Sequence, residues 1–263
     1  LDAFGEGFRH NLALLGPPGS GKTFQLQQLM QERPPNTLVI YCPLYRESCR
    51  SFLRRFLSAV LQAGLAAAKQ ERSSGAAGLA DPTPDDDCST RSHPLETLLE
   101  RADVQLPKTA AAVRAIEGLL TKRLYGEAFN RSLDTIPVLL AERQQPGLLI
   151  LDEFLFLEEL GLVHAFHELG KRVMTWHSTL FILSSSALYR ARTILRERLQ
   201  LLFGQFELLT LDAVDPAPAT AWVQQELKGV RGAKGTSLFL IQWLGAYPWY
   251  LALVLNRLRE LAM

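Results

Sequence analysis

Residues 16–23 read Gly16, Pro17, Pro18, Gly19, Ser20, Gly21, Lys22 and Thr23, the GxxxxGK[ST] spacing of a loop that cradles phosphate groups. Glycines let successive backbone N–H groups turn inward around phosphate oxygens, at a helix start whose dipole favours negative charge. Lys22 would reach the β and γ phosphates of a nucleotide, Thr23 would place its hydroxyl on Mg²⁺, and Pro17 and Pro18 would stiffen the loop. Such a cradle requires an acid at the end of another buried strand, and the run LLILDE at 148–153 supplies two. Asp152 would bind Mg²⁺ through water, and Glu153 would polarise an attacking water. A third polar group is expected from Ser184, Ser185 and Ser186, with Ser184 or Ser185 touching the γ-phosphate or orienting that water.

These groups need a sheet to position them. Residues 11–15, 37–42, 147–151, 179–183 and 206–211 are short apolar runs, each followed by polar residues, as parallel strands buried on both faces require. Helical patterns separate them, so residues 1–211 read as an α/β core with a mostly parallel five-stranded sheet flanked by helices. Residues 24–31 read as the helix after the phosphate loop, stopped by Pro34 and Pro35. About a hundred residues separate the second and third runs, where a crossover needs about a dozen, so residues 46–145 form an insertion. It shows helical patterns at 47–63, 95–103, 108–125 and 128–144, with Pro137 expected to break the last, and a mobile loop at 65–93 rich in Ala, Ser, Gly, Asp and Pro. Residues 212–263 show no strand pattern; 216–228, 235–244 and 248–262 read as three helices of a lid.

The 28 basic and 27 acidic side chains nearly cancel, so bulk charge advertises neither nucleic acid nor an anionic surface. Of the basic residues 21 are Arg and seven are Lys, a skew open to phosphate recognition or to coding bias. Cys42, Cys49 and Cys88 have neither disulfide-framework nor zinc spacing, which fits a reducing cytoplasm. The chain opens on Leu1 without an initiator Met or a signal peptide, as expected of a segment of a longer protein. Residues 235–256 are uncharged, but Gln242 and the turn at Gly245, Ala246, Tyr247 and Pro248 divide them into two short helices, so no membrane span is expected.

Other clusters read as inert. His164, His167 and Glu168 match no metalloprotease pattern, and Asp85, Asp86 and Asp87 lack the spaced ligands of a calcium loop. Arg50, Arg54 and Arg55, interleaved with Phe52 and Phe56, read either as a nucleic-acid-binding stripe or as the outer face of an amphipathic helix. Tyr189, Arg190, Arg192, Arg196 and Arg198 follow the serine-ending strand. One of these arginines could reach a neighbouring subunit's nucleotide, or all could face solvent.

With the loop GPPGSGKT, the acid run LILDEF, the strand LFILSSS followed by LYR, and the tail GAYPWYL on the page, the chain resembles P-loop ATPases of the AAA+ and STAND type, particularly the archaeal-type ATPase family. That resemblance implies ATP and Mg²⁺ as ligands, a nucleotide set extended by Phe24, and a lid motif Gly-x-Pro that contacts base and sugar. Gly245, Tyr247 and Pro248 match it one residue longer than the minimal form. Pro248 stands where many relatives carry a lid arginine, Gly204 and Gln205 stand where Gly-Arg is common, and the sensor is all serine. Three readings follow: an ATP-hydrolysing switch or remodelling ATPase with a protein partner or self-association, a nucleic-acid-associated assembly ATPase such as a loader or transposition regulator, and a nucleotide-dependent scaffold with little turnover.

Overall fold

The five apolar runs form one sheet. In a computed structural model that describes residues 11–32, 34, 36–74, 95–197, 206–228 and 233–262, the strands are β1 (Asn11–Leu15), β2 (Leu38–Pro43), β3 (Gly147–Asp152), β4 (Thr179–Ser185) and β5 (Phe206–Thr210). Their order is β2-β3-β4-β1-β5, and every neighbouring pair is parallel. Every residue of β3 and β4 is buried, which is why both read as uninterrupted apolar runs rather than as alternation. β1 lies between β4 and β5, so the loop that leaves its C-terminal end opens beside the ends of β3 and β4.

Alternation along the strands gives the sheet two faces. On one, Leu14, Leu148, Ile150, Leu180 and Ile182 pack with Leu26 of α1 (Lys22–Gln31). On the other, Ile40, Leu149, Leu151, Phe181 and Leu183 join a large cluster with the inserted helices α2 (Cys49–Ser74), α3 (Leu95–Gln105), α4 (Pro107–Thr121) and α5 (Tyr125–Arg143). The insertion therefore shares the core of the sheet. Phe52 and Phe56 of α2 are buried there, so the interleaved Arg/Phe pattern forms an amphipathic helix with its phenyl rings inward.

Three features of the insertion differ from the sequence expectation. α2 continues to Ser74, so the expected loop at 65–93 is helical through its first ten residues; 75–94 lie outside the described residues. Ala66, Ala67 and Ala68 are strong helix formers, and Leu65 and Ala68 are buried. Pro137 does not break its helix: α5 runs through it, held on either side by buried Leu133, Ile136, Leu139 and Leu140. α4 ends at Thr121 and α5 starts at Tyr125, because Arg123 between them takes a left-handed φ of 58°.

After β3, Phe154–Leu160 forms a 3-10 helix that the sequence pattern did not suggest, followed by α6 (Ala165–Thr175) and, after β4, α7 (Leu188–Glu197). Beyond β5, α8 (Pro216–Glu226), α9 (Ala233–Leu244) and α10 (Pro248–Ala262) enclose a small core of their own, built on Val223, Leu227, Leu240, Leu251 and Leu255. No helix among the described residues is long and apolar enough to cross a membrane.

Candidate functional site

The phosphate loop needs its glycines for two different reasons. Gly19 and Gly21 have φ of 78° and 92°, a region that costs other residues about 1–2 kcal/mol. At Gly16 the constraint is space: a Cβ there would lie 2.5 Å from the Leu211 carbonyl oxygen and 2.6 Å from Ser20 Oγ. The Gly16 N–H donates to the Ser185 carbonyl at 3.2 Å, and the Leu211 N–H donates to the Leu15 carbonyl at 2.7 Å, which pins the loop to the ends of β4 and β5.

Gly21 is the N-cap of α1 and offers no side chain, and the first turn of α1 holds no acidic residue, so its N–H groups and dipole face the loop uncompensated. Ser20 Oγ is buried without a partner among the described residues. An anion in the loop would satisfy both, so the cradle fits a phosphate group. Lys22 is buried, and its Nζ donates to the Gly16 carbonyl at 2.8 Å and the Pro17 carbonyl at 3.1 Å, leaving one of its three donors. Burial lowers the Lys22 pKa below the usual lysine value, while the Glu153 and Asp152 charges oppose that shift. Pro18 and Thr23 are exposed, as is Phe24, at 63%.

Asp152, at the end of β3, is the hub of the hydroxyl groups. Alternation puts it on the face of Leu148 and Ile150, toward α1, and puts Ser184 on the face of Ile182 beside it. Thr23 Oγ1 donates to Asp152 Oδ2 at 3.1 Å, Tyr41 Oη donates to the same oxygen at 2.9 Å, and Ser184 Oγ donates to Oδ1. Tyr41 had no motif to mark it in the sequence; its signal is only that it falls on the inward side of β2. Burial, and then the Asp152 carboxylate, raise the Tyr41 pKa, so its hydroxyl stays a donor.

Glu153 takes a left-handed conformation, φ 57° and ψ 47°. Its N–H donates to Ser184 Oγ at 3.2 Å, and its Oε2 accepts the Ser186 N–H at 3.0 Å, so both serines fix the acid. Ser185 differs from its neighbour: its hydroxyl accepts the Ala187 N–H at 3.1 Å, a turn bond at the approach to α7. Of the two serines expected at the γ-phosphate, the structure brings Ser184 to the acid pair and gives Ser185 a local role.

The tail meets the loop at the start of α10. A Cβ at Gly19 would lie 3.3 Å from Tyr250 Cε2 and 3.4 Å from Trp249 Cβ, so these two residues, next to the expected Pro248, cover the loop. The Val214 N–H donates to the Ala246 carbonyl at 3.0 Å, tying the segment after β5 to the turn that contains Gly245 and Tyr247.

Arg54 bonds Glu117 at 3.2 Å and also pairs with Glu96, while Arg55 bonds Glu47 and the Pro43 carbonyl, so both are engaged within the protein; Arg50 is exposed. Arg190 pairs with Glu158, Arg192 bonds Thr210 Oγ1 at 3.4 Å, and Arg196 is exposed. Arg198, Gly204, Gln205 and Asp85 to Asp87 lie outside the described residues. His164 and His167 contact each other at 6.4 Å between ring centroids, and no group of three or more His, Cys, Asp or Glu side chains that could hold a metal occurs among the described residues.

A search of curated proteins found no match. Among solved structures, the Aeropyrum pernix ORC2 protein in its ADPNP–ADP complexes is similar at 14% identity and a TM-score of 0.35, over 86% of this chain and 48% of that one. The present chain thus spans about half of that protein's length. A family model described as an AAA domain matches residues 9–183, well over half of the chain and inclusive of the phosphate loop and the acid pair; the chain belongs to this family of P-loop nucleotide-binding ATPases.

Proposed function

We propose that this chain binds Mg²⁺-ATP in the loop between Gly16 and Thr23 and hydrolyses it with Glu153 as base, working as a STAND-like molecular switch or remodelling ATPase. The observation that carries the reading is a convergence at one end of one sheet face. An uncapped helix N-terminus, a buried lysine and a hydroxyl–carboxylate pair 3.1 Å apart meet beside a second, fixed carboxylate.

In this reading the loop N–H groups and the remaining Lys22 donor hold the phosphates. Thr23 and, through water, Asp152 offer hard oxygen donors of the type Mg²⁺ takes, and they would hold that ion. The ion, when bound, would supply neutralisation of phosphate charge. Ser186 orients one Glu153 oxygen, so that the carboxylate can draw a proton from water. Ser184, bonded to both acids of the pair, is the candidate sensor. The separate small core of α8 to α10 and the contact of Trp249 and Tyr250 with Gly19 support residues 212–263 as a lid on a core of residues 1–211. The all-serine sensor supports slow turnover that a protein partner, or a second copy, stimulates. The buried thiols of Cys42 and Cys49 suit a reducing, cytoplasmic setting.

The test is a pair of variants followed by nucleotide titration and phosphate release. Lys22→Ala is expected to weaken ATP binding by more than about 100-fold, a loss of about 3 kcal/mol typical of a removed charge-assisted contact. Glu153→Gln is expected to keep binding while turnover falls by about 10²–10⁴-fold. Equal hydrolysis by Glu153→Gln and the parent chain would remove Glu153 as base. Tight binding with undetectable turnover in the parent chain would favour the scaffold.

A further inference from the structure

Tyr41 stands apart from the other groups on Asp152. Thr23 and Ser184 come from the phosphate loop's helix and the serine-ending strand, and both have a task in the proposed chemistry. Tyr41 comes from β2, on the side of β3 away from β4, and the proposed chemistry gives it none. Its register partner is Ile150, two residues before Asp152, and it is half-buried against the cluster that contains Leu26, Leu148 and Ile150 on the α1 side of the sheet. From there its hydroxyl lies 2.9 Å from Asp152 Oδ2, the same oxygen that Thr23 reaches at 3.1 Å.

A carboxylate oxygen has two lone-pair directions, and on Oδ2 one is taken by a ring that two χ angles and a packed cluster hold rigid. That leaves the other direction aimed at Thr23. The nearby Lys22 ammonium attracts the same carboxylate. A phenol anchored in β2 opposes rotation of Asp152 toward Lys22 and keeps it with Thr23.

We propose that Tyr41 is a positioning residue that fixes the Asp152 carboxylate in the orientation used with Thr23 to hold the divalent cation, and so sets how much Mg²⁺ nucleotide binding requires. The proposal rests on the reading of Asp152 given above. Hydroxyl donors to a ligating carboxylate typically change metal affinity by about 10- to 100-fold when removed. Tyr41 touches neither nucleotide nor cation in this scheme, so its removal acts through the cation alone.

The experiment is Tyr41→Phe, which deletes one oxygen and keeps the ring, with Tyr41→Leu as a second variant lacking the donor. Binding of Mn²⁺ to the complex with a non-hydrolysable ATP analogue is read by electron paramagnetic resonance, and analogue binding in EDTA is read by fluorescence titration. Expected for Tyr41→Phe is about a tenfold weaker Mn²⁺ affinity, unchanged analogue binding in EDTA, and a hydrolysis rate that returns to the parent's at high Mg²⁺. Unchanged Mn²⁺ affinity in either folded variant overturns the proposal, as does a loss of analogue binding in EDTA equal to the loss with metal. Asp152→Asn separates the two readings. If it weakens Mn²⁺ binding while Tyr41→Phe does not, only the role of Tyr41 fails; if it leaves Mn²⁺ binding intact, the assignment of Asp152 fails with it.

Discussion

At the scale of the residue, the glycines of the phosphate loop answer two different needs. At Gly21 a Cβ would meet nothing within 4 Å, so the only penalty for alanine is the left-handed φ of 92°, about 1–2 kcal/mol. At Gly16 the obstacle is a backbone carbonyl, which cannot rotate away as a side chain can. Gly21→Ala is therefore expected to weaken ATP binding by about tenfold with the fold intact. Gly16→Ala is expected to lose more than about 100-fold, by forcing the loop from Leu211. Isothermal titration with ATP on both variants checks the order; equal losses would contradict it. Glu153 shows the same logic in reverse: a non-glycine residue held left-handed at 57° stores strain at the position proposed for the base, secured by bonds to Ser184 and Ser186.

At the scale of the element, α5 is the clearest case of packing overruling local preference. Pro137 removes one backbone donor and its ring crowds the preceding turn, a cost of about 3 kcal/mol relative to alanine in a helix interior. Buried Leu133 and Ile136 before it, and Leu139 and Leu140 after it, belong to one core cluster, and the burial of each contributes about 1.5–3 kcal/mol. The sum exceeds the defect. Pro137→Ala should consequently stabilise the protein by about 1–3 kcal/mol, after allowing about 1 kcal/mol for the greater freedom of the unfolded chain. A urea melt with an unchanged slope and a higher midpoint is the expected result; a lower midpoint would mean that the ring fills space the core needs. Arg172 adds a buried tie between elements: it pairs with Asp134 of α5 at 2.9 Å and with Glu168 on its own helix at 3.0 Å.

At the scale of the molecule, the insertion is part of the core and the three C-terminal helices have a separate one. Arg54 joins the inserted helices: it spans from α2 to Glu96 of α3 and Glu117 of α4. Those pairs are partly exposed, so Arg54→Ala is expected to cost about 1 kcal/mol or less. Because the guanidinium is already engaged, the same change should leave any binding of DNA at low salt unaltered, as an anisotropy titration would show. A salt-sensitive DNA affinity lost in Arg54→Ala would instead revive the nucleic-acid reading. The small helical core meets the phosphate loop through Trp249 and Tyr250, so its position is physically linked to whatever the loop holds.

The sequence by itself determined the class of fold and marked the residues of the candidate site. Glycine spacing, a lysine and threonine at a helix start, and an acid pair after an apolar run are local patterns, fixed by backbone geometry within a few residues. Unbroken apolar runs also announced strands buried on both faces, and parallel pairing followed. What tertiary structure alone decided involves residues far apart in the chain. The order of strands brings Tyr41 to Asp152 across 111 positions, and Ser184 to it across 32. No periodicity encodes such partners. The choice between Ser184 and Ser185 depended on which face of β4 meets the acid pair, a matter of register. The sequence did not reveal the acidic partners of Arg54 and Arg55 because they come from other helices or a preceding loop, and Pro137 looked like a break because the burial that outweighs it belongs to the whole core.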